Sequence, residues 1–171
     1  MLAAKSLVIV LGPLVLAASV ACAGPAEDCN QVRDVERQLR GCTLYIEEGS
    51  AEPKNLATAH LNRGNIYAQR DKHRLALADY GTAIRLDPRN PLAHYNRGNA
   101  HYDTRKFQAA IADFTRAIEL EPRFALAYFN RGRAREHVGN RKAAVHDYRS
   151  VLKLDPTIKA ARARLKALRA R

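Results

Sequence analysis

The chain has no tryptophan, one methionine and only 6% aromatic residues over its 171 positions. So few ring faces leave little on which the bases of a single nucleic-acid strand could stack, and a nucleic-acid partner is disfavoured on that ground. Acidic residues are also scarce: 17 Asp and Glu stand against 29 Lys and Arg, a formal charge of +12. An excess of that size bears on anionic partners, solubility and encounter rates, not on the fold. There is no G-x-S-x-G elbow, no glycine-rich phosphate loop and no H-E-x-x-H pair. Of the six histidines, His60, His94 and His101 fall at packing positions and His73 at a turn, while His137 and His146 stand in different segments with no cysteine or carboxylate set arranged around them. No catalytic residue, metal-ligand set or cofactor is therefore assigned, and the chain is expected not to be an enzyme.

Long apolar runs are absent except at the start. "MLAAKSLVIVLGPLVLAASVACAG" carries a lone Lys5, an apolar stretch from Ser6 to Val20 and the small residues Ala21, Cys22 and Ala23. These are the three parts of a secretory signal peptide, so residues 1–23 are expected to be removed and the mature protein to be periplasmic or secreted. The run is short for a membrane span and is interrupted by Gly12-Pro13. The rival reading is lipidation of Cys22, although Ser19 and Val20 suit a lipoprotein box poorly. Cleavage leaves two cysteines, Cys29 and Cys42, and a net charge of 28 − 17 = +11. An even number of cysteines in an exported chain reads as a disulfide, whose loop would stabilise the fold by about 3 kcal/mol; two buried free thiols are the alternative.

What the chain has in quantity is repetition. Asn62-Arg63-Gly64 returns as Asn96-Arg97-Gly98 and Asn130-Arg131-Gly132, at steps of 34 residues. The same step relates Ala76, Ala110 and Ala144; Tyr80, Phe114 and Tyr148; Leu86, Leu120 and Leu154; and Pro88, Pro122 and Pro156. The units run 57–90, 91–124 and 125–158. Within each, apolar residues recur at helical spacing on either side of a polar turn, "QRDK", "DTRK" or "VGNR", and an acid-Pro pair stops the second helix. Two helices per unit are expected, approaching closely where the glycine meets the aromatic.

These residues resemble the tetratricopeptide repeat family: a 34-residue unit with Gly eighth, Ala twentieth, an aromatic twenty-fourth and Pro thirty-second. The resemblance implies an all-α, right-handed α-solenoid of antiparallel helix pairs. Position four holds His60, His94 and Tyr128 where Trp is usual, and position seven holds Arg where Leu is usual. Position eleven holds Tyr67, His101 and Arg135, and the last of these strains the pattern. Residues 24–56 are expected to form a degenerate helix pair and linker, with Cys42 in the aromatic column and a Cys29–Cys42 bridge in place of the aromatic contact. Residues 159–171 are expected to cap the array as one basic helix, its stripe of Ile158, Ala161, Leu165 and Leu168 facing inward. The alternative for that helix is an anionic membrane or an acidic partner.

The resemblance also implies that positions two, five, six, nine, twelve and thirteen line a concave face. Asn62, Asn96 and Asn130 stand at position six, and Asn65, Asn99 and Arg133 at position nine. Leu61, Tyr95 and Phe129 stand at position five, and Leu92 and Leu126 at position two. Asparagine both donates and accepts, as a peptide backbone requires, and the row is similar to the asparagine ladder of glycosyltransferase repeat arrays. A peptide-binding groove is the expectation, with protein or peptide as partner. The alternative is electrostatic binding of an anionic polymer, lipid or nucleic acid. The family's clamp for acidic C-termini has Lys at positions two and five and Arg at six; here only Asn65 and Asn96 match it. Arg63, Arg97 and Arg131 precede Asp79, Asp113 and Asp147 by sixteen residues, which predicts an ion pair inside each hairpin.

Overall fold

The computed structural model of the chain describes residues 24–30, 33–49 and 52–169, the last without its side chain. The expected leader, residues 1–23 with Cys22, lies outside them. Among the described residues the structure is all helix: α1 (Pro25–Asn30), α2 (Val35–Glu48), α3 (Pro53–Gln69), α4 (His73–Leu86), α5 (Pro91–Asp103), α6 (Phe107–Leu120), α7 (Ala125–His137), α8 (Arg141–Leu154) and α9 (Lys159–Arg169). Successive pairs α1/α2, α3/α4, α5/α6 and α7/α8 form hairpins that stack in chain order, and α9 lies on α8. No described helix is long and apolar enough to cross a membrane.

The boundaries follow from local chemistry. Pro53 and Pro91 open α3 and α5, where a missing N–H costs nothing. Asn90 Oδ1 caps α5 by accepting from the N–H groups of Leu92 and Ala93 at 3.0 and 3.3 Å. Between the two helices of each unit the chain turns through one left-handed residue: Asp71 (φ 56°), Arg105 (φ 60°) and Gly139 (φ 76°). The second helices end by donating the N–H of Asp87, Glu121 and Asp155 back to a carbonyl, and the following proline prevents extension.

Glycine and aromatic columns set how close the helices come. A Cβ on Gly64 or Gly98 would stand 2.7 Å from the ring of Tyr80 or Phe114, and one on Gly132 would stand 2.9 Å from Tyr148. Position-three alanines (Ala59, Ala93, Ala127 and, in α9, Ala161) are buried where each first helix meets the hairpin before it. The first hairpin solves the same problem differently. Gly41 on α2 lies against the backbone of Cys29, and Cys29 is bonded to Cys42 with the Cα atoms 4.3 Å apart.

α9 aligns with the first helix of a unit, but its sequence differs from the other three. Position seven, Arg in every full unit, becomes Leu165, which is buried with Ala161 against Tyr148 and Val151 while Ile158 and Leu168 flank them. The glycine column becomes exposed Lys166, with no second helix against it among the described residues. This helix thus uses its apolar stripe within the fold and turns Lys159, Arg162, Arg164 and Lys166 outward.

Candidate functional site

The repeated Asn-Arg-Gly divides between the interior of each hairpin and the seam between hairpins. Inside, the expected ion pairs are present in all three units. Arg63 donates from Nε and Nη2 to Asp79, both at 2.9 Å; Arg97 does so to Asp113 at 2.9 and 2.6 Å, and Arg131 to Asp147 at 3.2 and 2.8 Å. The aspartates are buried, and each gathers a second basic group. His60 Nδ1 lies 2.8 Å from Asp79. His94 and His101 flank Asp113 at 3.7 and 3.8 Å, and Arg135 donates to Asp147 at 2.8 Å. The unusual residue at position eleven is therefore accommodated, because Asp147 pairs with it.

The electrostatics agree with the geometry. Burial pushes the Asp79 carboxyl up, but the hydrogen bonds from Arg63 and His60 outweigh it and hold the group below the usual carboxylate range. Asp113 behaves likewise, with His94 and Arg97 opposing burial. Burial dominates at His101, whose ring is held below the ordinary histidine value, and at Arg135. Among the described residues no three His, Cys, Asp or Glu side chains stand together as a metal site would require.

The asparagines tie one hairpin to the next. Asn96 Nδ2 donates to Asn65 Oδ1 at 2.8 Å, and Asn130 Nδ2 donates to Asn99 Oδ1 at 2.9 Å and to the Tyr95 hydroxyl at 3.1 Å. Tyr80 adds a second donor to Asn65 Oδ1, at 2.9 Å. Each rung thus consumes one carbonyl and one amide. What remains, among the described residues, is an unpartnered Nδ2 on Asn65 and Asn99 and an unpartnered Oδ1 on Asn96 and Asn130. A donor beside an acceptor is the complement of a peptide group. A hollow of about 310 Å³ opens over the first rung, lined by Asn65, Tyr80, Asn96, Asn99 and Asp103 among others.

Other expected groove residues are placed differently. Asn62 turns its amide to the N-terminal hairpin, donating to the carbonyl of Cys29 at 3.2 Å and to Asn30 Oδ1 at 3.3 Å, so it offers only its own carbonyl. Leu61 is 7% exposed and belongs to the core with Tyr80 and Ala93, which removes it from the groove. The cause is that position five packs both on the second helix of its own hairpin and on the helix that follows. Tyr95 accordingly packs its ring on Phe114 and Phe124 at 5.8 and 4.7 Å, and Phe129 packs on Tyr148 at 5.6 Å, each leaving only part of its surface free. Among the expected groove residues, Leu92 and Leu126 are the open apolar ones, 50% and 54% exposed and one unit apart. Arg133 lays its guanidinium 4.5 Å over the Tyr102 ring. The rungs themselves were not foreseen. The signal was present, since positions six and nine lie one turn apart and a 34-residue step brings nine of one unit to six of the next.

Stacked two-helix units with a polar row along their first helices define a helical-hairpin solenoid. Family models described as TPR repeat and tetratricopeptide repeat match residues 64–104, 91–124 and 125–158. The chain belongs to the tetratricopeptide repeat family. It is similar to the first TPR of Spaghetti (RPAP3) bound to the HSP90 peptide SRMEEVD, at 30% identity and TM-score 0.67 over 70% of this chain and 94% of that one. It is also similar to the second TPR domain of human RPAP3 in complex with the HSP70 peptide SGPTIEEVD, at 32% identity and TM-score 0.66 over 68% of this chain and 98% of that one. MamA shares the fold at TM-score 0.74 and 22% identity, over 84% of this chain and 76% of its own. No curated protein matches the chain.

Proposed function

We propose that this chain is a non-enzymatic binding module whose concave face holds an extended segment of a protein partner, acting as an adaptor or scaffold. The observation that carries the reading is the half-satisfied rung. At Asn65–Asn96 and again at Asn99–Asn130, one amide donor and one carbonyl acceptor are left without a partner among the described residues, on helices tied together by the internal hydrogen bond. Groups held in place this way bind without the entropy cost of ordering a loop. Leu92 and Leu126 supply apolar contacts at one-unit spacing, and two of the similar domains were solved with peptides bound. The setting we infer is the cell envelope or the exterior, which the apolar leader and the Cys29–Cys42 disulfide support.

Charge favours a second mode. Residues 24–56 hold 4 Lys and Arg against 7 Asp and Glu, whereas residues 125–171 hold 13 against 3. With the apolar stripe of α9 packed into the fold, this basic end would engage an anionic polymer by charge and not by insertion. Panning a random peptide library on the full chain across a salt series separates the two. Groove recognition gives enriched peptides whose binding weakens modestly with salt and is lost in Asn96→Ala. Affinity that collapses with salt and ignores that substitution would assign the binding to the basic surface.

A further inference from the structure

We infer that Arg133 and Arg164 form a carboxylate-binding site at the C-terminal end of the asparagine row. Position nine of one unit meets position six of the next as Asn65 with Asn96, then as Asn99 with Asn130. Continued by the same 34-residue step, the third rung is Arg133 with Arg164, the latter on α9. Two asparagines satisfy each other; two guanidinium groups, which only donate, cannot. Both line one cavity of about 140 Å³ with Tyr102, Glu136 and His137.

Among the described residues one carboxylate, Glu136, stands near the pair. Arg133 rests over the Tyr102 ring, a contact that fixes its plane and leaves its N–H groups free. Arg164 stands 3.8 Å from Glu136, too far for a direct hydrogen bond, and that carboxylate already accepts from the Tyr148 hydroxyl. His137 Nε2 is tied to the Tyr102 hydroxyl at 2.9 Å. Two cations and one carboxylate leave a positive charge unmatched, among the described residues, in a concave site. Arginine forks match the two oxygens of a carboxylate, which makes that group the complement. The site is distinct from the positions, two, five and six, that the family's clamp for acidic C-termini supplies with cations. Given the groove reading above, on which this inference rests, the carboxylate belongs to the guest segment, as an Asp or Glu side chain or as its chain terminus, and it fixes which end of the guest lies over α9.

Two measurements on the full chain decide the matter. The first is a titration with succinate at low ionic strength, followed through the Nε–Hε signals of the arginines. Saturable shifts are expected at Arg133 and Arg164, retained in Lys142→Gln/Arg149→Gln, which removes equal charge elsewhere. In Arg133→Gln/Arg164→Gln the affinity should fall about tenfold or more, as for lost charged hydrogen bonds. No saturable shift at the pair, or equal affinity in that variant, overturns the site. The second is selection from a random decapeptide library made with free and with amidated C-termini. Wild type should enrich acidic peptides or free termini, which tells the two carboxylate sources apart, and the double variant should lose that preference. Peptides equally acidic with both proteins overturn the inference while sparing the groove. Failure to enrich any peptide removes the groove, and with it the assignment of the carboxylate to a guest, whereas the succinate result still decides whether the arginines bind one.

Discussion

Arg131 and Asp147 meet across the third hairpin in a two-pronged ion pair, at 3.2 and 2.8 Å, with the aspartate wholly buried. The aspartate also accepts from Arg135, so a single buried carboxylate holds two guanidinium groups. Removing one member of such a set leaves uncompensated charge in the core. Asp147→Asn should therefore destabilise the protein by about 3–5 kcal/mol in urea denaturation. Arg131→Leu/Arg135→Leu/Asp147→Leu, which removes all three charges together, should recover much of the loss.

Acid should loosen the array in two stages. His101 is held below its ordinary value by burial despite the nearby Asp113, so its neutral form is favoured in the fold. Its contribution is present above the unfolded histidine value, about 6.5, and is lost as pH falls through the folded one. Asp79 and Asp113 are also held low, burial being outweighed by their basic neighbours. Their contribution is present above the unfolded value, about 3.9, and disappears as pH falls further. Urea midpoints measured from pH 7.5 down to pH 3 should show a shallow decline and then a steep one. His101→Gln should remove the shallow part alone.

The glycine column admits a sharp packing test. A Cβ on Gly98 would stand 2.7 Å from the Phe114 ring. Gly98→Ala should cost about 1–3 kcal/mol, the range for an overpacked core. Combining it with Phe114→Leu should cost less than the two separate losses added together, and the double-mutant cycle in denaturant measures that coupling.

The disulfide should matter locally. Cys29→Ser/Cys42→Ser should lower stability by about 3 kcal/mol, with hydrogen-exchange protection lost first in α1 and α2. Asn62 donates to the Cys29 carbonyl, so its side-chain amide signal should shift in the same variant. Unchanged protection in α1 would show that packing alone holds that helix.

How much of this was legible in the sequence depended on where each interaction closes. Arg63 and Asp79 lie within one hairpin, and their spacing recurs unchanged in each unit, so the pair could be read directly. The disulfide joins neighbouring helices and was equally accessible. Asn65 and Asn96 belong to different hairpins, and one groove-facing row conceals that its members bond to each other. Leu61 is buried for a related reason: position five packs on Tyr80 of its own hairpin and on Ala93 of the next, whereas Tyr95 and Phe129 keep part of their surface free. Arg135 could not be placed without its partner's depth, because an exposed arginine and one donating to buried Asp147 look alike in a sequence.

The claim on which the functional reading turns is that each rung keeps a free amide for a guest backbone. Asn99→Asp and Asn65→Asp isolate it, since the new carboxylate can still accept from Asn130 or Asn96 and Tyr80 while the free Nδ2 donor is gone. Gln69→Glu, on the same hollow, places equal charge without touching a rung. Calorimetric affinities for a peptide selected on the wild-type chain should fall about tenfold in the two rung variants and little in the control, at unchanged melting temperature. Equal affinity in all four proteins would contradict the claim, leaving the asparagines as staples between hairpins and nothing more.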